Sequence, residues 1–507
     1  MLTPAETARF TWPAAACVSL YGLGSWIVIN GLWVELPVLV NILPEGWDLP
    51  AYLSVLIQIA NIGPLVYVPL TKLSRNVGRG FCAQCVQPPE RLANCVILTI
   101  GLLACIFLAN FWKCVITTPI GAHSIALLAL ALCAAVVDCT TSVTFNAYLS
   151  GMPETYMGAL AFGEAFSDLV PSVVALIQGV GSDPTCVNHT INGTTVIIPV
   201  YPPARFSVSV FMYFLALIMA VSLTAFIALD RLPWGLGSAI RQHYLATRKF
   251  VSTAEIQVES VRSAVEKVDG SNSRDCTPTE SPEAVVVMTS HKARPRGIRM
   301  CTSEFLLPIS LICYSSFLTN GFLPGFQSYS TAAYSSLVYH LSVTISGIFC
   351  ALVTVVVTYY IHQIRTKQFA SRLQHFVLAQ DPEFAEPVDQ TDWATKEYVR
   401  RSQVYWILTA VLATVPAAYV VYLASASPNP PNLNGVGRAL AVIAWVLLKS
   451  GFTFLRTWLW LHLSSRSHEP MALRYAGLST QAGAAVGALL NFLLIVHFRL
   501  FHPKPSC

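Results

Sequence analysis

The chain has 507 residues, 54% of them hydrophobic, and only 11% carry a charge, where a soluble globular domain has about 25%. Its 31 Lys and Arg against 26 Asp and Glu leave a formal net charge of +5, too little charge to coat a globule of this size. That excludes a soluble enzyme and a disordered chain, and the small, scattered basic excess argues against a nucleic-acid partner.

What remains is an all-α polytopic protein solvated by a lipid bilayer. A helix needs about 20 predominantly apolar residues to cross the hydrocarbon core. The sequence predicts eleven such spans, at 14–36, 51–71, 92–112, 122–148, 158–180, 206–229, 303–324, 334–361, 403–424, 439–462 and 475–497. No signal-peptide pattern precedes the first.

Polar side chains inside a span are costly, so each is a functional candidate. In the first span Trp26, Asn30 and Trp33 recur at i, i+4 and i+7, one face of a helix, and Glu35 stands two residues before Pro37. An interfacial aromatic belt with an interhelical amide bond is the plainer reading, and Trp26 lies too deep for it. The second span carries Gln58 and Asn61 ahead of Gly63-Pro64, a helix break that points to a cavity or hinge. Cys82-x-x-Cys85 then has half of a zinc-site spacing with no second pair nearby, so incidental cysteines are expected and no metal site.

The fourth span holds Asp138 and the hydroxyl run Thr140, Thr141, Ser142 and Thr144. The fifth holds Glu164 and Asp168, four apart and so on one face, before Pro171. Paired acids there either pair with Lys449 and Arg456 of the tenth span or take part in proton coupling. The seventh and eighth spans are joined by Leu318–Tyr329, where Thr319, Asn320, Phe322 and Gln327 gather around Gly321, Pro324 and Gly325, ahead of Tyr339-His340. A broken helix in each half, expected at 31–37 and 321–325, marks a substrate site between bundles. Its aromatic and amide lining suits a planar, uncharged heteroaromatic ligand.

Basic residues set the orientation. With a cytoplasmic N-terminus, the inside segments collect 24 of the 31 Lys and Arg and the outside ones five. The sequons at Asn188 and Asn192 fall on the outside, as expected for glycosylation sites. An odd number of spans leaves the C-terminus extracellular, and Cys186 and Cys507 on the same side are free to pair. The polar, Pro-containing segment 230–302 reads as a disordered cytoplasmic linker between a six-helix bundle, 1–229, and a five-helix bundle, 303–507. The charged 363–402 loop reads as holding an amphipathic helix.

At these same residues the chain resembles the animal riboflavin transporter family. The matching segments are GSWIVINGLWVELPVLV (24–40), LPEGW (43–47), QIANIGPL (58–65), VDCTTSVTF (137–145), GEAFSDLVPSVVAL (163–176), TCVNHT (185–190), LTNGFLPGFQSYS (318–330), VYHLS (338–342) and STQAGAAVGALLNF (479–492). The resemblance implies eleven spans, an intracellular N-terminus, plasma-membrane location and sodium-independent uptake of riboflavin. It also implies a fold like that of equilibrative nucleoside carriers and the major facilitator class.

On that reading the chain is a carrier working by alternating access, as a monomer and without a cofactor. Trp26 and either Phe145 or Phe322 are expected to stack on the isoalloxazine ring. Asn30, Gln58, Asn61 and Asn320 would read the pyrimidine edge, and Thr319, Gln327 and Tyr339 the ribityl hydroxyls. Glu35, Glu164 and Asp168 are the gating or proton-sensing candidates. A carrier for nucleosides or another heteroaromatic solute would use the same lining. A receptor would need a larger outer region than 182–205, and an enzyme would need a nucleophile–base or metal-ligand spacing that the sequence lacks.

Overall fold

A computed structural model describes residues 10–77, 88–118, 121–149, 152–179, 184–191, 194–245, 303–378, 389–466 and 470–504. Cys82, Cys85, Asn192, Cys507 and most of the 230–302 segment lie outside them.

Among the described residues ten helices are long and apolar enough to cross a membrane, and a bent pair at the N-terminus makes an eleventh. That pair is α1 (Trp12–Leu23) and α2 (Ile27–Leu39), bent by 48°. Then come α3 (Leu49–Ile59) and α4 (Ile62–Val77), together one candidate span, followed by α5 (Pro89–Phe111), α6 (Ile125–Tyr148), α7 (Glu154–Gln178) and α8 (Val208–Arg231). After the undescribed segment the chain resumes in α9 (Ser303–Ser316), a π-helical stretch Phe317–Phe322, the short α10 (Leu323–Gln327) and a second π stretch, Ser328–Ala332. The last four helices are α11 (Ser336–Leu378), α12 (Asp389–Ser425), α13 (Gly435–Arg466) and α14 (Pro470–Phe492). Helix extends into the 363–402 region from both sides, to residue 378 and from residue 389.

Two sequence expectations about breaks are corrected. The first span breaks at Gly24-Ser25-Trp26, and 31–37 is continuous helix with Pro37 inside α2. In the seventh span, Gly321, Pro324 and Gly325 do not end the helix. The π stretches carry it on to Ala332, so Leu318–Tyr329 belongs to the span and the connection is only 333–335. A π bulge shifts the backbone pairing without ending the helix, which lets Pro324 sit in the first turn of α10, where its missing N–H costs least. In the second span the chain turns at Ala60-Asn61, just ahead of Gly63-Pro64.

Apolar packing gathers into two large clusters. One runs through residues 14–240 and takes in Tyr339 and Val343; the other runs through 305–476. Helices approach closely where glycine allows it. A Cβ on Gly163 would lie 2.0 Å from the Ser19 carbonyl oxygen, and one on Gly487 would lie 2.4 Å from that of Phe317. The first fixes α1 against α7, and the second fixes α14 against the π stretch. Outside the spans, β3 (Thr185–Ile191) pairs antiparallel with β4 (Thr194–Val200), after a short hairpin of β1 (Ile116–Thr118) and β2 (Gly121–His123). Asn188 is exposed on β3, and the neighbouring Cys186 is disulfide-bonded.

Candidate intramembrane binding site

The break in the first span is held from outside. The first backbone N–H groups of any helix lack intrahelical partners, and Trp26, the N-cap of α2, offers no side-chain oxygen. Helix α6 supplies what is missing. Asp138 Oδ2 accepts from the N–H of Ile29 at 3.2 Å. Thr141 Oγ1, which donates to the Asp138 carbonyl at 2.7 Å, lies 3.3 Å from the carbonyl of Ser25, and Ser142 Oγ accepts from Trp26 Nε1 at 3.2 Å. One turn of α6 therefore grips both sides of the break and the indole between them.

Between residues 24 and 40 only Trp26, Asn30, Trp33 and Val38 escape complete burial. The i, i+4, i+7 stripe is thus the open face of an otherwise buried helix. Asn30 Nδ2 donates to the Ser167 carbonyl of α7 at 3.3 Å, which leaves its Oδ1 toward the open side. Across the stripe, Ser142 and Asn146 are exposed on α6. Polar groups exposed within a span avoid lipid, so this face borders water-accessible space.

The second half meets this strip through Asp168, one residue beyond Ser167. Its carboxylate lies within electrostatic reach of Lys449 and Arg456 on α13. Arg456 donates to Asn320 Oδ1 at 3.3 Å, and Asn320 is exposed in the π stretch. Lys449 Nζ sits 6.0 Å from the Trp445 ring. Trp26, Asn30, Asp168, Arg456 and Asn320 therefore form one chain of contacts and charges from α2 to α13.

The remaining predicted residues fall into three groups. Thr319 and Phe322 flank Asn320; Thr319 Oγ1 donates to the Ser315 carbonyl at 2.9 Å, and Phe322 stacks with Phe317 at 5.6 Å between ring centres. Gln58 and Asn61 bond each other, Asn61 Nδ2 to Gln58 Oε1 at 3.2 Å, and both are partly exposed. Gln327 and Tyr339 are buried, the former donating to Ser342 Oγ at 3.1 Å. Phe145 is fully buried, 3.8 Å from Tyr21 between ring centres, in the core of the first half. It is out of phase with Ser142 and Asn146. Glu35 is also fully buried, with Gln178 as the side chain beside its carboxylate. Glu164 is partly buried on α7, one turn before Asp168.

One end of the assembly is drawn together by contacts that the sequence did not suggest. Tyr329 donates to Asp48 Oδ1 at 3.0 Å, Trp47 meets Tyr339 edge-on at 5.2 Å, and Tyr52 meets Phe492 at 5.7 Å. Each joins the first half to the second. Trp47 lay in a quoted motif, but nothing local marked Asp48 and Tyr329 as partners. Among the described residues, no three or more His, Cys, Asp or Glu side chains gather where a metal could bind.

The chain that carries these residues is similar to known proteins along most of its length. A family model described as solute carrier family 52, riboflavin transporter, matches residues 11–377 and 392–503. The zebrafish (Danio rerio) protein "Solute carrier family 52, riboflavin transporter, member 3-A" is 31% identical over 504 residues, covering 97% of both chains. The human (Homo sapiens) member 3 is 31% identical over 97% of both chains, and the human member 2 is 30% identical over 97% of this chain and 95% of its own. Among solved structures, a D-xylose-proton symporter is similar at 10% identity with a TM-score of 0.49, covering 96% of this chain and 92% of that one. A match that runs through every described span and both sides of the strip from Trp26 to Asn320 leaves one assignment: the chain belongs to solute carrier family 52, the riboflavin transporters.

Proposed function

We propose that this chain carries riboflavin across the plasma membrane by alternating access, without sodium, as a monomer of two helical bundles. The observation that carries the reading is the open polar and aromatic strip inside the membrane, Trp26, Asn30, Asn320 and Arg456, in a member of this family. Trp26 and Phe322 offer faces for the isoalloxazine ring. Asn30, Asn320, Gln58 and Asn61 offer amides to its pyrimidine edge, and Thr319 offers a hydroxyl to the ribityl chain. Phe145 has no place in this site.

The count of basic residues supports a cytoplasmic N-terminus and an extracellular C-terminus, the side on which Asn188 and Asn192 would carry glycans. On this orientation the end closed by Asp48–Tyr329 and Trp47–Tyr339 is the extracellular one. Glu35 and Glu164, with Asp168, lie on the helices that must part for the outer end to open.

The test is uptake of labelled riboflavin by expressing cells, with sodium replaced by choline and with lumiflavin or uridine as competitors. Losing an aromatic stack costs about 0.5–1.5 kcal/mol beyond area burial, and losing a buried hydrogen bond about 1–3 kcal/mol. Trp26→Ala and Asn320→Ala should each cut uptake several-fold at unchanged surface level. Competition by uridine rather than lumiflavin, or near-normal uptake by both variants, would overturn the proposal.

A further inference from the structure

The orientation of the Asn320 amide is set by chemistry, because the group facing it can only donate. A guanidinium has five N–H donors and no acceptor, so the Asn320 atom 3.3 Å from Arg456 must be the oxygen. Thr319 Oγ1 also lies 3.2 Å from that oxygen, but its single proton is better placed on the Ser315 carbonyl at 2.9 Å. Arg456 is therefore what holds the amide. Its own place is set by Asp168, with which it interacts electrostatically across the two halves, and by Cys350 beside it.

With Oδ1 committed, both N–H groups of Asn320 Nδ2 turn to the exposed side, and no described residue accepts from them. Asn30 is fixed in the opposite sense. One of its two Nδ2 N–H groups is given to the Ser167 carbonyl, which fixes the amide and leaves Oδ1 and the second N–H without a described partner. The second half thus presents a donor amide at Asn320, and the first half an amide at Asn30 whose oxygen is open to accept. The chemical edge complementary to that pair is an imide, a carbonyl beside a ring N–H, as on the pyrimidine ring of a flavin.

Building on the riboflavin reading above, we infer that Arg456 is a positioning residue that locks Asn320 as a hydrogen-bond donor, so that the site selects a ligand carbonyl at that point. Arg456 does not touch the ligand in this role. It removes the alternative amide orientation, in which Asn320 would offer an oxygen to the ligand and repel its carbonyl.

The experiment measures binding of riboflavin to the purified full-length protein by quenching of flavin fluorescence. It compares riboflavin with analogues in which either pyrimidine-ring carbonyl oxygen is replaced by sulfur, a weaker acceptor. Wild-type protein should prefer riboflavin to one of the two by several-fold. Asn320→Asp keeps the shape and the contact with Arg456 but has no N–H to give, and should weaken riboflavin binding roughly 5- to 150-fold, the range for one lost buried hydrogen bond. Arg456→Lys also faces the amide with donors only and should keep the preference. Arg456→Gln, which can donate or accept, frees the amide and should bring the preference close to one. Riboflavin binding by Asn320→Asp equal to wild type, or a full preference in Arg456→Gln, overturns the inference while leaving riboflavin transport intact. Absence of riboflavin binding and uptake in the wild type would instead defeat the functional reading on which it rests.

Discussion

Asp138 is the side chain whose replacement reads most directly on the architecture of the site. It is completely buried, its Oδ2 accepts from the N–H of Ile29 at 3.2 Å, and its Oδ1 has no partner among the described residues. Replacing it with Leu leaves the Ile29 N–H unpaired in a dry interior. A lost helix cap costs about 0.5–2 kcal/mol, and a buried group left unsatisfied about 1–3 kcal/mol. Against this stands the relief of no longer burying a carboxylate with one idle oxygen, so a net loss of about 1–2 kcal/mol is expected at the break. Because Ser142, one turn along α6, holds the Trp26 indole, that loss falls on the substrate site as well as on the fold. Asp138→Asn keeps an acceptor for Ile29 and should retain most of the activity. Riboflavin uptake normalised to surface level, together with the melting temperature of the purified protein, separates the two effects. Asp138→Leu should lose uptake roughly tenfold, and Asp138→Asn should lose little. Equal and severe loss in both variants would refute the cap and show that the charge itself is required. Full activity in Asp138→Leu would refute any role for the carboxylate.

Two further outcomes test the packing and the closed end. Gly163→Ala puts a methyl group 2.0 Å from the Ser19 carbonyl, whereas a Cβ at Gly158, on the same helix, meets nothing within 4 Å; surface expression should fall several-fold for the first and hold for the second. Tyr329→Phe removes the bond to Asp48, which contributes about 1 kcal/mol, so a cysteine in place of the buried Ser328 beside it should react about fivefold faster with an impermeant thiol reagent as the closed end samples its open state more often.

The eleven spans were legible because apolar run length is a property of the chain alone, and so was the open stripe of α2, since i, i+4, i+7 spacing survives whatever the helix packs against. The position of the break was not. Pro37 looked the stronger breaker, yet α2 runs through it to Leu39. The weaker signal at Gly24-Ser25 became the break because Asp138 caps the Ile29 N–H and Ser142 holds the Trp26 indole, both from more than a hundred residues away. Phe145 was misread for a related reason. The hydroxyl run suggested one lined face, but Asp138, Thr141 and Phe145 share the buried face while Ser142 and Asn146 share the open one. The orientation of Asn320 rests on Arg456, 136 residues away, and local spacing carries no trace of it.

The charges inside the membrane then divide by what opposes them. Asp138 faces backbone dipoles within one half, an arrangement that alternation need not disturb. Asp168 faces Lys449 and Arg456 from the other half. Bringing such groups together costs their hydration and gains their attraction, two terms of similar size. When the halves part, water restores the first as the second is lost. An interaction of that kind adds little to the difference between open and closed states while still setting the register in which they meet. A hydrophobic seam at the same place would favour the closed state outright, since every Å² of apolar surface exposed on opening costs about 25 cal/mol. A carrier that must visit both states with comparable ease is better served by the charges, which gives a physical reason for tolerating Asp168, Lys449 and Arg456 at a depth where each alone would be expensive.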